Sequence, residues 1–264
     1  MTFMGKERIP LMAANWKMNF DTAEAGAFAK KFKELVSDAG GAEILICAPF
    51  TCLESLSRIF SGSNIKLGAQ NMFYENEGTF TGEISAKMLL PYCSYVIVGH
   101  SERRAVFRET NQDANRKIKK AIEYGLKPIL CIGETADERN SGKTNSVIEK
   151  MLLGGLEGIT ASDAEKIIIA YEPIWAISKG KNDIAKSQSA PSETGQEAHA
   201  FIRSLLSKMF GNEVSEKIRI IYGGSMKPEN VDGLMAQKDI DGGLVGGASL
   251  NPESFAKVVR FKNK

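Results

Sequence analysis

The chain has 264 residues, with 34 basic and 32 acidic side chains and a formal net charge of +2. Chains of this length commonly form one barrel, so we expect residues 1–264 to make a single domain. The balanced charge gives no reason to expect nucleic acid as a partner, and the basic run at 116–120 fits a solvated helix face. No segment approaches the ~20 apolar residues that span a bilayer, so we expect no membrane partner.

The four cysteines, Cys47, Cys52, Cys93 and Cys131, lie in or beside apolar runs that are typical of strands. They form no CxxC pair and no closely spaced Cys/His cluster, so we expect no metal site and no cofactor bound through them. Buried thiols are typical of a reducing compartment, which predicts a soluble, cytoplasmic protein.

Eight short apolar bursts recur along the chain, and several are continuous rather than alternating. Continuous runs are typical of strands buried on both faces, as in a parallel sheet. The bursts begin at 9, 43, 65, 95, 127, 166, 218 and 242.

Helix signals occupy most of the intervals between these bursts. Asp21 is a candidate cap for a first amphipathic helix, and Thr110 with Asp113 forms a capping-box pattern. Ser192 can begin a helix that ends at Gly211, and Asn251 can cap a last helix with Pro252 at its first position.

Strand and helix alternating eight times is compatible with an open doubly wound sheet or with a closed (β/α)8 barrel. We predict the barrel, because neither GxGxxG after the first strand nor GxxxxGK[ST] occurs. The third connection, at 73–91, is long and is interrupted by Gly78 and Gly82. A long loop on a compact domain usually binds something, and a second subunit is a natural candidate.

Polar residues follow several predicted strands, at the end where such barrels place their sites. The first strand ends in Asn15 and Lys17, the fourth in His100, Ser101 and Glu102, and the sixth in Glu172. Taken singly, Lys17 fits a surface lysine and His100 a core histidine. Because a helix can start just after His100, its ring should stay neutral and able to donate a hydrogen bond.

A second histidine, His199, lies in the mixed stretch GQEAHAFIR, and we interpret it as a helix surface residue. The glycine turns at 222–225 and 245–249 are weak motifs separately. After the seventh and eighth strands, however, they occupy the place where these barrels often bind phosphate on backbone N–H groups.

Glu172 lies in an apolar stretch, where a carboxylate loses hydration unless it is paired or its pKa shifts. One interpretation is a structural ion pair with Lys17 or an arginine. The other is a general base, strengthened by desolvation and aided by a cation and a hydrogen-bond donor that stabilise charge on a neighbouring oxygen. The residues alone leave both readings open.

Six segments in order resemble the signature of the triosephosphate isomerase family, over nearly the whole chain. They are NWKMN at 15–19, GHSERR at 99–104, LCIGE at 130–134, AYEPIWAI at 170–177, YGGS at 222–225 and GGLVGGASL at 242–250. The resemblance implies interconversion of dihydroxyacetone phosphate and glyceraldehyde 3-phosphate through an enediolate, without cofactor or metal.

By the same resemblance, Glu172 would move the proton and His100 would polarise the carbonyl group. Asn15 and Lys17 would stabilise the oxyanion, and Glu102 would position the lysine. Phosphate would be held by the N–H groups of Ser178, Ser225, Gly246 and Gly247. The family also forms homodimers, and Thr81, in GTFTGE at 78–83, would reach the first-strand end of the partner.

The lid that should follow Glu172 departs from the family pattern, because AIGTGK is AISKGK here, with Ser178 in place of glycine. The connection at 182–195 is also longer, by about seven residues. One hypothesis is that the insertion bulges outward and the lid closes normally. The other is that closure is impaired, so that the enediolate escapes and decomposes to methylglyoxal and phosphate.

Two rival functions remain at this point. One is a barrel aldolase that uses Lys17 as a Schiff base, against which the neighbouring Glu172 and His100 argue. The other is a non-catalytic phosphate-binding or adhesion protein, against which the intact catalytic motifs argue.

Overall fold

The computed structural model describes residues 8–176 and 191–262. Ser178 lies outside the described residues, as do the rest of the predicted lid beyond Ala176 and the connection as far as residue 190. From residue 192 onward, that connection already belongs to a helix.

Within the described residues, eight strands form a closed, all-parallel barrel in which each pairs with the next and the eighth pairs with the first. The strands are β1 (Leu11–Asn15), β2 (Glu43–Ala48), β3 (Ile65–Ala69), β4 (Tyr95–Val98), β5 (Lys127–Ile132), β6 (Ile168–Tyr171), β7 (Arg219–Tyr222) and β8 (Gly242–Val245). Each lies within one of the eight predicted bursts, so the barrel prediction is confirmed.

Helices surround this barrel. Those of the described residues are α1 (Thr22–Leu35), α2 (Phe50–Ile59), α3 (Ala86–Leu89), α4 (Ser101–Phe107), α5 (Asn111–Glu123), α6 (Ala136–Asn140), α7 (Thr144–Gly155), α8 (Ala161–Ala164), α9 (Ser192–Phe210), α10 (Asn212–Lys217), α11 (Val231–Met235) and α12 (Pro252–Val259). Short 3₁₀ turns occupy Ile174–Ala176 and Gly247–Leu250.

The predicted helix caps are present. Asp21 accepts the Glu24 N–H in a capping box at α1, and Thr110 accepts the Asp113 N–H in another at α5. Asn251 caps α12, whose first residue is Pro252. These caps satisfy N–H groups that a helix leaves without intrahelical partners, and so they fix where each helix leaves the barrel rim.

Two apolar cores explain the continuous apolar runs. Alternate strand residues such as Leu11, Ala13 and Leu45 fill the barrel, while their neighbours such as Met12 and Ala14 pack against the helices. Both faces of each strand are therefore buried. The four cysteines are buried free thiols, as predicted.

Two surface predictions failed, one at His199 and one at a single lysine of the basic run, in which Arg116 and Lys119 are exposed as predicted. His199 is fully buried, because α9 turns a wider face inward than expected, with His199, Ile202 and Leu206 at helical spacing. In the basic run, Lys117 is also buried, because its ammonium group pairs with Glu109 and donates to Asn71 Oδ1 at 2.8 Å. In the part of the chain that is described, no helix is long and apolar enough to cross a bilayer.

Candidate active site

The end of β1 places an amide and an ammonium group at the mouth of the barrel. Lys17 has a φ of 54°, in the left-handed region that a residue with a side chain rarely adopts. The turn is held by the Lys17 N–H, which donates to Asn15 Oδ1 at 3.1 Å. Lys17 Nζ lies 2.7 Å from Glu102 Oε1, so the first residues of α4 orient the ammonium group.

His100 connects β4 to α4 and is the N-cap residue of that helix. Its Nδ1 accepts the backbone N–H of Glu102 at 3.2 Å, so this nitrogen carries a lone pair and the ring proton lies on Nε2. Nε2 is 2.8 Å from Glu172 Oε1, to which it donates. The ring is therefore neutral in this hydrogen-bonding arrangement, and the helix amino terminus disfavours a second ring proton.

Glu172 directly follows β6 and is only 2% exposed. Besides the contact with His100, its Oε2 accepts the backbone N–H of Ser101 at 2.9 Å. This N–H is the first of α4 and has no partner within the helix, which makes it a natural site for an anion. The buried carboxylate is thus satisfied by two donors, which both lie where the chain passes from β4 into α4.

The pKa shifts at this pair follow from burial and from mutual contact. Burial raises the pKa of Glu172, but His100 and the Ser101 N–H lower it by more, so the group remains ionised. Burial lowers the pKa of His100, and the Glu172 carboxylate raises it by more. That increase depends on the 2.8 Å contact, and it diminishes if a substrate separates the two groups.

Two glycines leave room for Glu172. A Cβ at Gly133 would overlap the Glu172 backbone, and one at Gly223 would lie 2.8 Å from Glu172 Cγ. Both glycines follow strands adjacent to β6. The glutamate is therefore packed between β5 and β7 at a spacing that side chains larger than hydrogen would not permit.

The turns after β7 and β8 face Lys17 across the mouth. A Cβ on Gly246 would be 3.6 Å from Lys17 Cε, and Gly247 begins the 3₁₀ turn, whose free N–H groups suit an anion. Asn230 fixes the other turn, because its Nδ2 donates to the Ser225 carbonyl at 2.9 Å.

A pocket of about 260 Å³ joins these groups. Its lining includes Asn15, Lys17, His100, Glu172, Ser225, Gly246 and Gly247. Glu102 acts from behind, through Lys17, and does not line the pocket. Thr81 is exposed and does not line the pocket of its own chain.

Sequence reasoning missed several contributors. Ser101 was predicted at the end of the fourth strand, but not the donation of its N–H to Glu172, which its position as the first residue of a helix indicates. Asn251 and Ser254, at the start of α12, also line the pocket. Glu134 is completely buried and accepts from Tyr171 Oη at 3.0 Å and from Trp175 Nε1 at 2.9 Å, which fixes the 3₁₀ turn after Glu172.

The arrangement brings a desolvated carboxylate, a neutral N–H donor, a cation and an anion cradle to one pocket. Such a set can remove a proton next to a carbonyl group in a small phosphorylated compound. It suits a Schiff-base lysine less well. That chemistry needs an amine that is free to attack a carbonyl group, whereas Lys17 Nζ is engaged in an ion pair with Glu102.

Comparison with known proteins identifies the family. The family model described as triosephosphate isomerase matches residues 10–262. The triosephosphate isomerase of Carboxydothermus hydrogenoformans is 50% identical over 254 residues, which cover 96% of this chain and 98% of that protein. The triosephosphate isomerase of Dictyoglomus thermophilum is 51% identical over 254 residues, which cover 96% of this chain and 99% of that protein.

A solved structure is also similar. The crystal structure of triosephosphate isomerase from Bartonella henselae superposes with a TM-score of 0.83 at 39% identity, covering 95% of this chain and 97% of that one. Sequence and fold therefore agree, and the chain belongs to the triosephosphate isomerase family.

Proposed function

We propose that the protein is an isomerase that interconverts dihydroxyacetone phosphate and D-glyceraldehyde 3-phosphate through an enediolate. The observation that carries this proposal is the 2.8 Å contact between His100 Nε2 and the buried Glu172 carboxylate, inside a pocket that also holds Lys17 and two glycine turns. Family membership gives the substrate, and the pocket supplies groups for each step.

In this reaction Glu172 is the base. It takes a proton from the carbon next to the carbonyl group and returns it to the neighbouring carbon. Desolvation makes the carboxylate more basic once substrate replaces its present donors. Between the two proton transfers, negative charge resides on the enediolate oxygen atoms.

His100, Asn15 and Lys17 stabilise that charge. The neutral His100 ring gives its Nε2 proton to the carbonyl oxygen and takes up the proton of the neighbouring hydroxyl group in its place, so that one hydroxyl proton moves between the two oxygens. The Lys17 ammonium group, aligned by Glu102, adds positive charge. The phosphate binds to the N–H groups of Ser225, Gly246 and Gly247, whereas the contact predicted for Ser178 lies outside the described residues. No cofactor or metal is needed for these steps, because an N–H donor and a cation stabilise the enediolate.

The test compares wild type with Glu172→Gln in a coupled isomerase assay. Glutamine keeps the shape but cannot take the proton, so kcat should fall by between about 10² and 10⁴-fold. Glu213→Gln makes the same chemical change at a glutamate whose side chain is 86% exposed, and should leave kcat unchanged. An undiminished rate in Glu172→Gln would contradict the assignment of the base.

We further infer that the chain acts as a single barrel domain in a cytoplasmic homodimer. The loop between β3 and β4 is held by its own contacts, with Phe73 stacked on Tyr74 and packed against Phe80. Its tip, with Thr81, is exposed. An exposed loop that is held by its own aromatic contacts suits insertion into a second copy of the chain.

The distribution of exposed apolar side chains supports the same inference. Met18, Phe50, Phe80, Val106 and Phe107 are all exposed and follow β1, β2, β3 and β4, which are consecutive in the barrel. An apolar surface of this kind marks an association site. Sedimentation equilibrium should give twice the chain mass, and a monomer at micromolar concentration would refute the dimer.

A further inference from the structure

Arg104 is a second arginine in the GHSERR segment, and the proposed mechanism gives it no role. Its side chain lies behind the catalytic pair, where the carboxyl ends of β4 and β5 run side by side. Nε donates to the Gly99 carbonyl at 2.7 Å, and Nη2 donates to the Cys131 carbonyl at 3.4 Å. One guanidinium group thus joins the ends of two neighbouring strands.

The first of these carbonyl groups belongs to the residue before His100, so the hydrogen bond to it holds the backbone that carries the imidazole ring. Gly99 immediately precedes His100 and has a φ of 66°, and a Cβ there would lie 2.8 Å from Arg104 Nη2. The Arg104 backbone N–H also donates to the His100 carbonyl at 3.1 Å. The residues on both sides of the imidazole are therefore tied to Arg104.

The second carbonyl group belongs to β5, and the residues that follow it in the chain contact the Glu172 backbone. Beyond Cys131, the Ile132 carbonyl accepts the Glu172 N–H at 2.8 Å, and Gly133 packs on the Glu172 backbone. Arg104 thus holds both the strand end that carries the electrophile and the one that supports the base.

The third donor, Arg104 Nη1, fixes the guanidinium group to the helices outside the barrel. Nη1 donates to Asn111 Oδ1 at 2.7 Å, and Asn111 Nδ2 donates to the Lys150 carbonyl at 3.3 Å. The guanidinium group is therefore fixed to α5 and α7, outside the barrel. A planar fork with several fixed donors can do this, whereas a lysine presents one point charge.

We infer that Arg104 is a positioning residue, which sets the distance and orientation of His100 relative to Glu172 without touching substrate. This inference rests on the proposed function. Burial lowers the pKa of Arg104, and the Glu172 carboxylate opposes that shift, so the guanidinium charge also acts on the base.

The experiment compares Arg104→Gln and Arg104→Lys with wild type, and with Arg58→Gln as the matched control. Arg58 has a side chain that is 77% exposed. In Arg104→Gln, kcat should fall by about 10- to 100-fold, because small misplacements of reacting groups are costly. KM should stay within about threefold, since the phosphate cradle lies on β7 and β8 and keeps its geometry.

Arg104→Lys keeps the positive charge but cannot make the three guanidinium hydrogen bonds, so its kcat should remain below that of wild type. Full recovery in that variant would overturn the inference, as would an unchanged kcat in Arg104→Gln. A loss that appears entirely in KM would also overturn it. The lysine variant provides the test if the glutamine variant fails to fold, which urea unfolding followed by circular dichroism would reveal.

A second readout does not depend on activity. The chain has two histidines, and nitrogen-15 spectra of their rings can separate them. His100 should carry its proton on Nε2, and His199 on Nδ1, because that nitrogen lies 2.7 Å from the Gly195 carbonyl. In both Arg104 variants the His100 signals should move toward those of mixed tautomers, while the His199 signals stay fixed.

This readout separates the two proposals. An inactive wild type with the expected His100 response would refute the isomerase function and leave the positioning role intact. An active wild type whose His100 signals are the same in all variants would refute the positioning role alone.

Discussion

Gly223 lies directly behind the proposed base, and a single methyl group placed there tests how accurately Glu172 must be held. A Cβ on Gly223 would be 2.8 Å from Glu172 Cγ and 3.0 Å from the Tyr171 carbonyl oxygen. The Gly223 backbone cannot easily retreat, because its N–H donates to that same carbonyl at 2.7 Å. Its φ lies outside the left-handed region, so alanine adds no backbone strain and the effect is steric alone.

The size of the effect follows from these distances. Carbon atoms in contact are about 3.5 Å apart or more, so Glu172 Cγ must move by roughly 0.7 Å. Such a shift would lengthen the hydrogen bond to His100 or the one to Ser101. A misplacement of about 1 Å can cost about 100-fold in rate, so Gly223→Ala should lower kcat by about 10- to 100-fold. Overpacking should also reduce the free energy of unfolding by about 1–3 kcal/mol.

Steady-state assays in both directions and urea unfolding measure the two effects separately. Gly233→Ala is the matched control, because a Cβ at this position in α11 meets no atom within 4 Å. That variant should keep full activity and gain about 0.5–1 kcal/mol of stability. If folded Gly223→Ala retained kcat within about twofold of wild type, close packing behind Glu172 would not set the rate.

Two further predictions concern stability. Asp241→Asn should reduce the free energy of unfolding by about 3–5 kcal/mol in urea, because the completely buried carboxylate pairs with Arg203 at 2.6 Å and Arg8 at 2.9 Å. Asp38→Asn, which breaks an exposed ion pair with Arg260, should reduce the free energy of unfolding by less than about 1 kcal/mol. Equal losses of stability in the two variants would contradict the argument. Burial lowers the pKa of His199 from 6.5 to about 4. Between these pH values the unfolded chain takes up a proton that the folded chain refuses, so stability should fall by about 3 kcal/mol as pH drops from 6.5 to 4. Urea unfolding at several pH values should show a smaller decrease for His199→Gln, and an equal decrease would refute the assignment.

The barrel could be predicted because its strands are buried on both faces, which leaves continuous apolar runs in the sequence. The end of each run then shows which polar residues share the mouth, and Asn15, Lys17, His100 and Glu172 do line one pocket. Helix caps are equally local, since Asp21 bonds an N–H three residues ahead. Features that depend on neighbours along the chain could therefore be predicted from the sequence alone.

Contacts between distant segments were not accessible in this way. His199 is polar and lies among mixed neighbours, but the rotation of α9 against the barrel buries its ring between Tyr171 and Tyr222. Lys117 is buried because Glu109 and Asn71 compensate its charge. The pattern of residues in the sequence does not identify these two partners. Helix rotation and the partners of buried charges are set by tertiary packing.

The same limit applies to the proposed catalytic pair, His100 and Glu172. The sequence indicated a base and an electrophile, and coordinates add that the two hydrogen-bond each other when no substrate lies between them. In the proposed mechanism, a substrate carbonyl entering the pocket takes the Nε2–H of His100 away from Glu172, so a charge-assisted bond worth about 1.5–3 kcal/mol is replaced by a weaker one to a neutral oxygen. The carboxylate then loses a donor that lowered its pKa, and it becomes more basic when a carbon-bound proton comes within reach. As negative charge grows on the substrate oxygen, the bond from His100 strengthens again, so the interaction given up on binding is recovered in the transition state, where it accelerates the reaction.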